Sequence, residues 1–249
     1  ALKLAKSKGA KTLAVSNVIG SSITREADYT IYTHAGPEIA VASTKAYTSQ
    51  VILMVILTIY FAEMLKSSDG TILENLKSEI LDLPTKLETV LDQTEEIEKF
   101  AKKVYTEHDM YFLGRGTDYH VAMEGSLKLK EISYIHSEAY AAGELKHGPI
   151  ALIENGVTVI NVITNPGLVE KCISNLQEVV TRGAKTLVIT NQKISNTNID
   201  FVINIPETNC LISPILSVVP LQLLSYYISK NKGLDVDKPR NLAKSVTVE

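Results

Sequence analysis

Three side chains that could move protons occur within one stretch of the sequence, from Glu124 to Pro149. Lys128 and Glu131 are three residues apart, which places them on one face if the segment is helical. His147 follows in a segment whose Gly-Pro step makes a continuing helix unfavourable. A carboxylate, an amine and an imidazole could therefore line one pocket. The spacing equally fits a solvated ion pair on a helix surface and an unrelated loop histidine.

The residues around this set predict a helix followed by a loop of small and polar residues. A second face of the helix is small and apolar, and we expect it to pack on a sheet through Ala122, Gly125, Leu129 and Ile132. Upstream, Met110 to Leu113 predicts a strand that enters the helix through a turn, Gly114 to Gly116. A strand, a Gly-rich turn and a helix N-terminus can hold a phosphate, but close backbone packing explains the glycines better.

Composition limits the classes of protein that this chain could belong to. Its 249 residues, 45% hydrophobic and 21% charged, suffice for one large or two modest globular domains. A net charge of −3 gives no basic footprint for nucleic acid. Cys172 and Cys210 form neither a disulfide framework nor a metal cluster, so a reducing cytoplasm fits, and we expect no metal or other cofactor. The apolar run Val51–Ala62 is shorter than the ~20 residues of a membrane span, and predicts a buried helix instead.

Alternating strands and helices are predicted along the rest of the chain. A long helix runs to about Leu65, and Ser43 or Thr44 would cap it or leave its N–H groups free for a ligand. Residues 67–95 are polar and helical, broken at Pro84, and read as a linker. The other predicted elements are strands at Thr12–Ser16, Tyr29–Thr33, Val157–Ile163, Thr186–Thr190 and Phe201–Ile205, and helices at Ile97–Tyr105, Leu168–Thr181 and Ser213–Lys230.

An internal repeat divides the chain. The letters GAKTL at residues 9–13 recur at 183–187, and Asp28–Ile31 is echoed by Asp200–Ile203. Both copies follow a helix and lead to a long apolar helix, which indicates two similar α/β units in tandem. The second copy begins near residue 96. By this reasoning the first copy lacks roughly 75 residues before Ala1, and we expect the chain to be part of a longer polypeptide.

Three separated blocks carry a resemblance to a known family: AGPEIAVASTKAYTSQ, LKLKEISYIHSEAYAAGELKHGP and DVDKPRNLAKSVTVE. Over its whole length the chain resembles the isomerase half of the glucosamine-6-phosphate synthase family. The resemblance implies two tandem flavodoxin-like sugar-isomerase (SIS) domains, with parallel sheets sandwiched by helices. Residues 1–66 would be the C-terminal part of the first domain, 67–95 a helical linker, 96–233 the second domain, and 234–249 a tail that carries active-site residues.

The resemblance also implies a reaction, the conversion of fructose 6-phosphate and ammonia to glucosamine 6-phosphate in hexosamine biosynthesis. The ammonia would come from a glutaminase domain that is absent here. By resemblance, His147 opens the sugar ring, Lys244 forms a Schiff base at the C2 carbonyl, Glu131 carries a proton between C1 and C2, and Lys128 assists.

Other positions match the family's sugar pocket, namely Val41, Ser43 and Ala243. Burial, or the nearby Arg240, would favour the neutral form of the Lys244 amine. The family's phosphate-binding segment would precede Ala1, so we expect this chain to bind fructose 6-phosphate poorly and to be inactive alone. A homodimer is implied, because the matching histidine in the family serves a neighbouring subunit's pocket.

Two alternatives stay open. One is a non-catalytic SIS module that senses a sugar phosphate, and the other is a related SIS deglycase acting on sugar–amine adducts. The tail favours the synthase over a sensor, because a sensor has little use for a terminal segment that reads PRNLAKS.

Overall fold

The computed structural model describes residues 1–194 and 198–244. In chain order the elements are α1 (Leu2–Ser7), β1 (Leu13–Ser16), α2 (Ser22–Glu26), β2 (Tyr29–Tyr32), α3 (Lys45–Leu65), α4 (Gly70–Leu91), α5 (Thr94–Val104), β3 (Asp109–Gly114), α6 (Thr117–Ser133), β4 (His136–Ala141), β5 (Thr158–Ile163), α7 (Val169–Val180), β6 (Lys185–Thr190), β7 (Phe201–Asn204) and α8 (Ser213–Asn231). The last five residues of the expected tail lie outside the described residues.

Five parallel strands form the main sheet, in the order β4-β3-β5-β6-β7. Counted from β3, this is the 2-1-3-4-5 order of flavodoxin-type sheets. Strand β5 is buried along its whole length and β6 along nearly all of it, because helices cover both faces of the sheet. The α/β architecture with parallel strands that the sequence predicts is therefore confirmed.

Helix α8 packs against α5 and α6 on one face of this sheet. The apolar face expected on α6 is buried, since Ala122 and Leu129 are fully enclosed. Gly125 contacts α8 rather than the sheet, and a Cβ atom at this position would lie 2.6 Å from the Leu221 Cδ1 atom. The small residue therefore sets the close approach of the two helices.

The first strands, β1 and β2, form a separate parallel pair, and the repeat in the sequence recurs in their hydrogen bonds. The Thr12 backbone N–H donates to the Asp28 carboxylate at 2.9 Å, and the Thr186 N–H donates to the Asp200 carboxylate at 2.7 Å. In both copies the glycine of the repeated motif has a φ of +81°. The two segments thus share local geometry as well as letters.

Helix α4 runs without interruption through Pro84, so the expected break in this segment is wrong. A proline removes one helical hydrogen bond and crowds the preceding turn. Buried side chains on both sides of the proline hold the helix against α3 and α8 and offset that cost: Leu73, Leu76, Leu83 and Val90.

Helix α3 is largely exposed, which contradicts the buried helix expected from its apolar run. Val55 and Ile59 are buried, but Phe61 and Met64 are exposed, because the described part of α4 and α8 covers only one side of α3. By length and a mean hydropathy of 1.7 it could cross a membrane, and 11% of its most apolar window is buried. Helices of soluble proteins meet the same two criteria, so these values do not assign α3 to a membrane.

Strand β4 was expected to be part of a loop. It pairs with β3 in parallel register, from Asp109 opposite His136 to Gly114 opposite Ala141. The sequence HSEAYA contains no alternation of apolar and polar residues, so the local pattern does not reveal a strand. Hydrogen bonding to the buried strand β3 therefore stabilises β4 as a strand, although its own residues have no clear strand pattern.

Candidate active site

The C-terminal tail folds back over the end of α6 and onto the loop before α3. The Arg240 backbone N–H donates to the Tyr134 hydroxyl at 2.8 Å, and the Arg240 guanidinium lies 4.2 Å from the Tyr134 ring centroid. Further back, the Val41 N–H donates to the Asp237 carbonyl at 3.0 Å. These contacts bring the tail beside residues 38–44.

At the end of the described tail, Lys244 is anchored to that loop. Its Nζ atom donates to the Glu38 carboxylate and to the Ala40 carbonyl, both at 2.9 Å. The Lys244 side chain is 44% exposed. The Lys244 side chain is therefore not buried as expected, and its Nζ atom lies against a carboxylate while the Arg240 guanidinium lies over the Tyr134 ring. The neutral form of the amine stays a prediction.

Glu38 also accepts hydrogen bonds from the start of α3. Its Oε1 atom accepts from the Thr44 N–H at 2.8 Å and the Ala46 N–H at 3.4 Å, while Oε2 accepts from the Ser43 hydroxyl at 3.1 Å. Burial raises the pKa of this carboxyl, but the hydrogen bonds outweigh burial and lower the pKa to about 2. Thr44 occupies the N-cap position without a side-chain cap bond, so the cap predicted from Ser43 or Thr44 is supplied by Glu38 instead.

On α6, Lys128 lies between two carboxylates. Its Nζ atom is 2.6 Å from the Glu131 carboxylate and 3.5 Å from the Glu124 carboxylate, and its side chain is only 5% exposed. Burial raises the pKa of Glu124, Lys128 opposes this, and the Glu131 charge adds to it. A solvated surface pair would show none of this enclosure, so that alternative does not describe Lys128.

A cavity of about 190 Å³ joins these elements. It is lined by parts of the 38–44 loop, α6, α8 and the tail: Ala40, Ala42, Thr44, Lys128, Ile132, Gln222, Tyr226, Val236 and Asp237. Lys244 is bonded to Ala40, one of the lining residues. The cavity is smaller than the ~300–1,000 Å³ of typical small-molecule sites.

The sequence reasoning missed two residues here: Gln222, which lines the cavity, and Glu38, which bonds to the lining residue Thr44. The Gln222 Nε2 atom is buried and has no hydrogen-bond partner among the described residues. A buried amide without a partner costs free energy unless a ligand or water meets it. Glu38 could have been noticed as an acid six residues before a predicted N-cap, but no local signal points to Lys244.

His147 lies elsewhere. It ends a short 3-10 turn after β4, is exposed, and its Nε2 atom is 4.0 Å from the Glu144 carboxylate. Glu131 lies at the other end of β4, since α6 leads directly into that strand. The six residues of β4 separate the two ends by ~20 Å. Among the described residues no hydrogen bond or ion pair joins His147 to Glu131 or Lys128.

The remaining expected pocket residues differ in their surroundings. Val41 and Ser43 lie in the loop that contacts the tail, as described above, and Ala243 is exposed beside Lys244. The Gly114–Gly116 turn is explained by packing, because a Cβ atom on Gly114 would lie 2.4 Å from the Asp118 backbone.

Comparisons with known proteins place these observations in a family. The model of the SIS domain matches residues 1–60 and 103–229. The chain is 59% identical over its whole length to glutamine–fructose-6-phosphate aminotransferase [isomerizing] of Clostridium perfringens, and 47% identical to the protein of that name from Thermococcus kodakarensis. It spans 41% of the length of each.

Solved structures give a parallel result. The C-terminal domain of glucosamine-fructose-6-phosphate aminotransferase from Francisella tularensis is 37% identical, with a TM-score of 0.91, over 96% of this chain and 68% of that one. Glucosamine-6-phosphate deaminase from Thermotoga maritima is 22% identical, with a TM-score of 0.68, over 98% of this chain and 69% of that one, and shares the fold.

Proposed function

The chain belongs to the SIS domain family, within which it matches the C-terminal domain of glutamine–fructose-6-phosphate aminotransferase, and from this premise we propose that it is the sugar-isomerising part of such an enzyme. The proposed reaction converts fructose 6-phosphate and ammonia into glucosamine 6-phosphate and water. A glutaminase domain of the same enzyme would release the ammonia from glutamine. A cytoplasmic location suits such a soluble metabolic enzyme.

Lys244 is the proposed nucleophile. The neutral amine attacks C2 of the open-chain sugar, a C–N bond forms, and the carbonyl oxygen leaves as water to give an imine. The imine carbon is electrophilic, so ammonia can add there and displace the lysine nitrogen. The observation that carries this proposal is the anchoring of the Lys244 amine at Ala40, on the wall of the cavity that also contains Lys128.

Glu131 is the proposed base for the isomerisation. It removes a proton from C1 and returns one to C2, which leaves an aldehyde at C1 and an amine at C2. The Lys128 Nζ atom donates to the Glu131 carboxylate at 2.6 Å, which orients this carboxylate. In this proposal Lys128 also assists proton movement. Its buried position in the lining of the cavity supports this role.

His147 is proposed to open the sugar ring in the site of a second copy of the chain. Imidazole titrates near neutrality and can both donate and accept a proton. Its position at the opposite end of β4 from Glu131 argues against a role in the same chain's cavity, and a homodimer resolves this. A mixture of His147→Ala and Lys244→Ala variants should then recover activity through mixed dimers, whereas two inactive variants that never complement each other would contradict shared sites.

The domain organisation is proposed to follow the repeat. Residues 1–66 and 96–233 would belong to two flavodoxin-like units, joined by residues 67–95 and followed by the tail 234–249. The matching hydrogen bonds of Thr12 and Thr186 support this arrangement. The proposed sugar pocket includes Val41, Ser43, Ala243 and Arg240.

Single substitutions test the proposed reaction, and they are made in the protein as it occurs in the cell, here called the natural protein. Lys244→Ala and Glu131→Gln should abolish glucosamine 6-phosphate formation. Lys99 and Glu96 form an exposed pair at the same helical spacing as Lys128 and Glu131, so Lys99→Ala and Glu96→Gln serve as controls with normal turnover. Normal turnover in either site variant would contradict the proposal, and sugar-phosphate binding without any turnover in the natural protein would favour a sensing module.

A further inference from the structure

The Glu38 carboxylate connects three segments beside the cavity. Its side chain is 10% exposed. It accepts hydrogen bonds from the first turn of α3, from Ser43 in the loop, and from Lys244 in the tail, 206 residues away.

The two oxygens have different partners. Oε1 accepts from the Thr44 and Ala46 backbone N–H groups and so acts as the cap of α3. Oε2 accepts from the Ser43 hydroxyl and the Lys244 ammonium. Capping α3 requires only Oε1, so capping alone does not explain why Oε2 accepts from Ser43 and Lys244.

We propose that Glu38 is a positioning residue that docks the C-terminal tail, holding the Lys244 amine at the cavity until a keto sugar arrives. This inference rests on the proposed function of Lys244. In the docked state the Lys244 Nζ atom donates to the Glu38 carboxylate and to the Ala40 carbonyl. The amine must leave Glu38 and present a free lone pair before it can attack a carbonyl carbon. Docking therefore positions the amine but does not start the reaction.

The other tail contacts do not replace this one. The bonds at Asp237 and Arg240 hold the tail seven and four residues upstream of Lys244, respectively, and involve backbone atoms or a ring. They guide the chain to the loop but leave the long, flexible lysine side chain unrestrained. The carboxylate of Glu38 and the Ala40 carbonyl are the described groups that fix its end.

Glu38→Gln separates docking from capping. Glutamine has the same length, and its single carbonyl oxygen can still accept from the first turn of α3. Its NH₂ group cannot accept from Lys244 and carries hydrogens toward the ammonium. The matched control is Glu63→Gln, because Glu63 lies at the other end of α3 and also pairs with a lysine, Lys77, at 2.6 Å.

The first measurement is hydrogen–deuterium exchange of the natural protein without sugar. We expect the tail, residues 236–243, to exchange roughly fivefold faster in Glu38→Gln than in Glu63→Gln, the change that corresponds to ~1 kcal/mol for a partly exposed ion pair. The first turn of α3 should exchange at the same rate in both. Equal tail exchange in the two variants would overturn the inference, and so would a rise in α3 as large as that in the tail, since Glu38 would then be a cap alone.

The second measurement is the yield of sugar adduct after borohydride reduction of the imine with fructose 6-phosphate. Glu38→Gln should lower the rate of adduct formation roughly fivefold at subsaturating sugar, and Glu63→Gln should not change it. An unchanged rate in Glu38→Gln would overturn a role in positioning. If the natural protein forms no adduct at all, the proposed function of Lys244 fails, and the exchange comparison still decides whether Glu38 docks the tail.

Discussion

Replacing Lys128 by methionine removes a buried amine. The carboxylates of Glu124 and Glu131 then lose their shared ion-pair partner. The Lys128 side chain is 5% exposed, against 14% for Glu124 and 22% for Glu131, so water cannot fully replace the ammonium. Breaking a buried ion pair on one side costs ~3–5 kcal/mol, and the partial exposure of Glu131 favours the lower end. At 2–4 °C per kcal/mol for a chain of this size, we expect the midpoint of thermal unfolding to fall by ~6–12 °C.

The same variant should show a characteristic pH dependence. Burial already raises the pKa of Glu124, so the folded state binds its proton more tightly than the unfolded state does. Stability from this group is therefore lost as the pH rises through the raised pKa. Without Lys128 the pKa rises further, and the destabilisation should be larger at pH 8 than at pH 5.

Scanning calorimetry of the natural protein, Lys128→Met and a control at several pH values measures both effects. Lys102→Met is a suitable control because Lys102 also pairs with an acid on its own helix, Glu98, but is 59% exposed. Its midpoint should move by less than ~3 °C. If Lys128→Met behaved like this control at pH 8, the argument that Lys128 is an enclosed, functional ammonium would be refuted.

Other consequences can be measured independently. Gly125→Ala should destabilise the protein by ~1–3 kcal/mol in denaturant unfolding, because its Cβ would collide with a buried leucine, whereas Gly70→Ala, with open space around it, should not. Of the two cysteines, Cys210 should react with a thiol reagent in the folded protein, while Cys172, where burial raises the pKa to about 11, should react only after unfolding. The depressed pKa of Glu38, about 2, contributes stability above its ordinary value of 4.5 that is lost as the pH falls toward 2. Glu38→Gln should therefore lose less stability than the natural protein between pH 5 and pH 3, as seen in unfolding midpoints.

The elements that the sequence predicts well have strong local signals. The buried strands β3, β5 and β6 are rich in apolar and β-branched residues, and α5 carries an apolar stripe at helical spacing. The repeated GAKTL motif correctly indicates two segments of similar geometry, because its glycine and threonine make the same local bonds in both places. In these cases a pattern within a short segment of the sequence is enough to predict the element.

The features that the sequence does not predict depend on distant contacts. Strand β4 forms because β3 offers a buried edge, and α4 continues through Pro84 because leucines on either side are buried. The bond between Glu38 and Lys244 joins residues 206 positions apart. The exposure of α3 likewise depends on which elements cover it. The resemblance to a family predicts the site residues, whereas the proposed docking role of Glu38 depends on contacts between residues far apart in sequence.

The most direct test of the account is to locate the sugar on the protein. The natural protein is incubated with fructose 6-phosphate, reduced with borohydride and digested, and the modified peptide is sequenced by mass spectrometry. The account predicts one adduct, a reduced hexose phosphate joined to the Nζ atom of Lys244. An adduct on Lys128 or on any other lysine, with Lys244 unmodified, would contradict it.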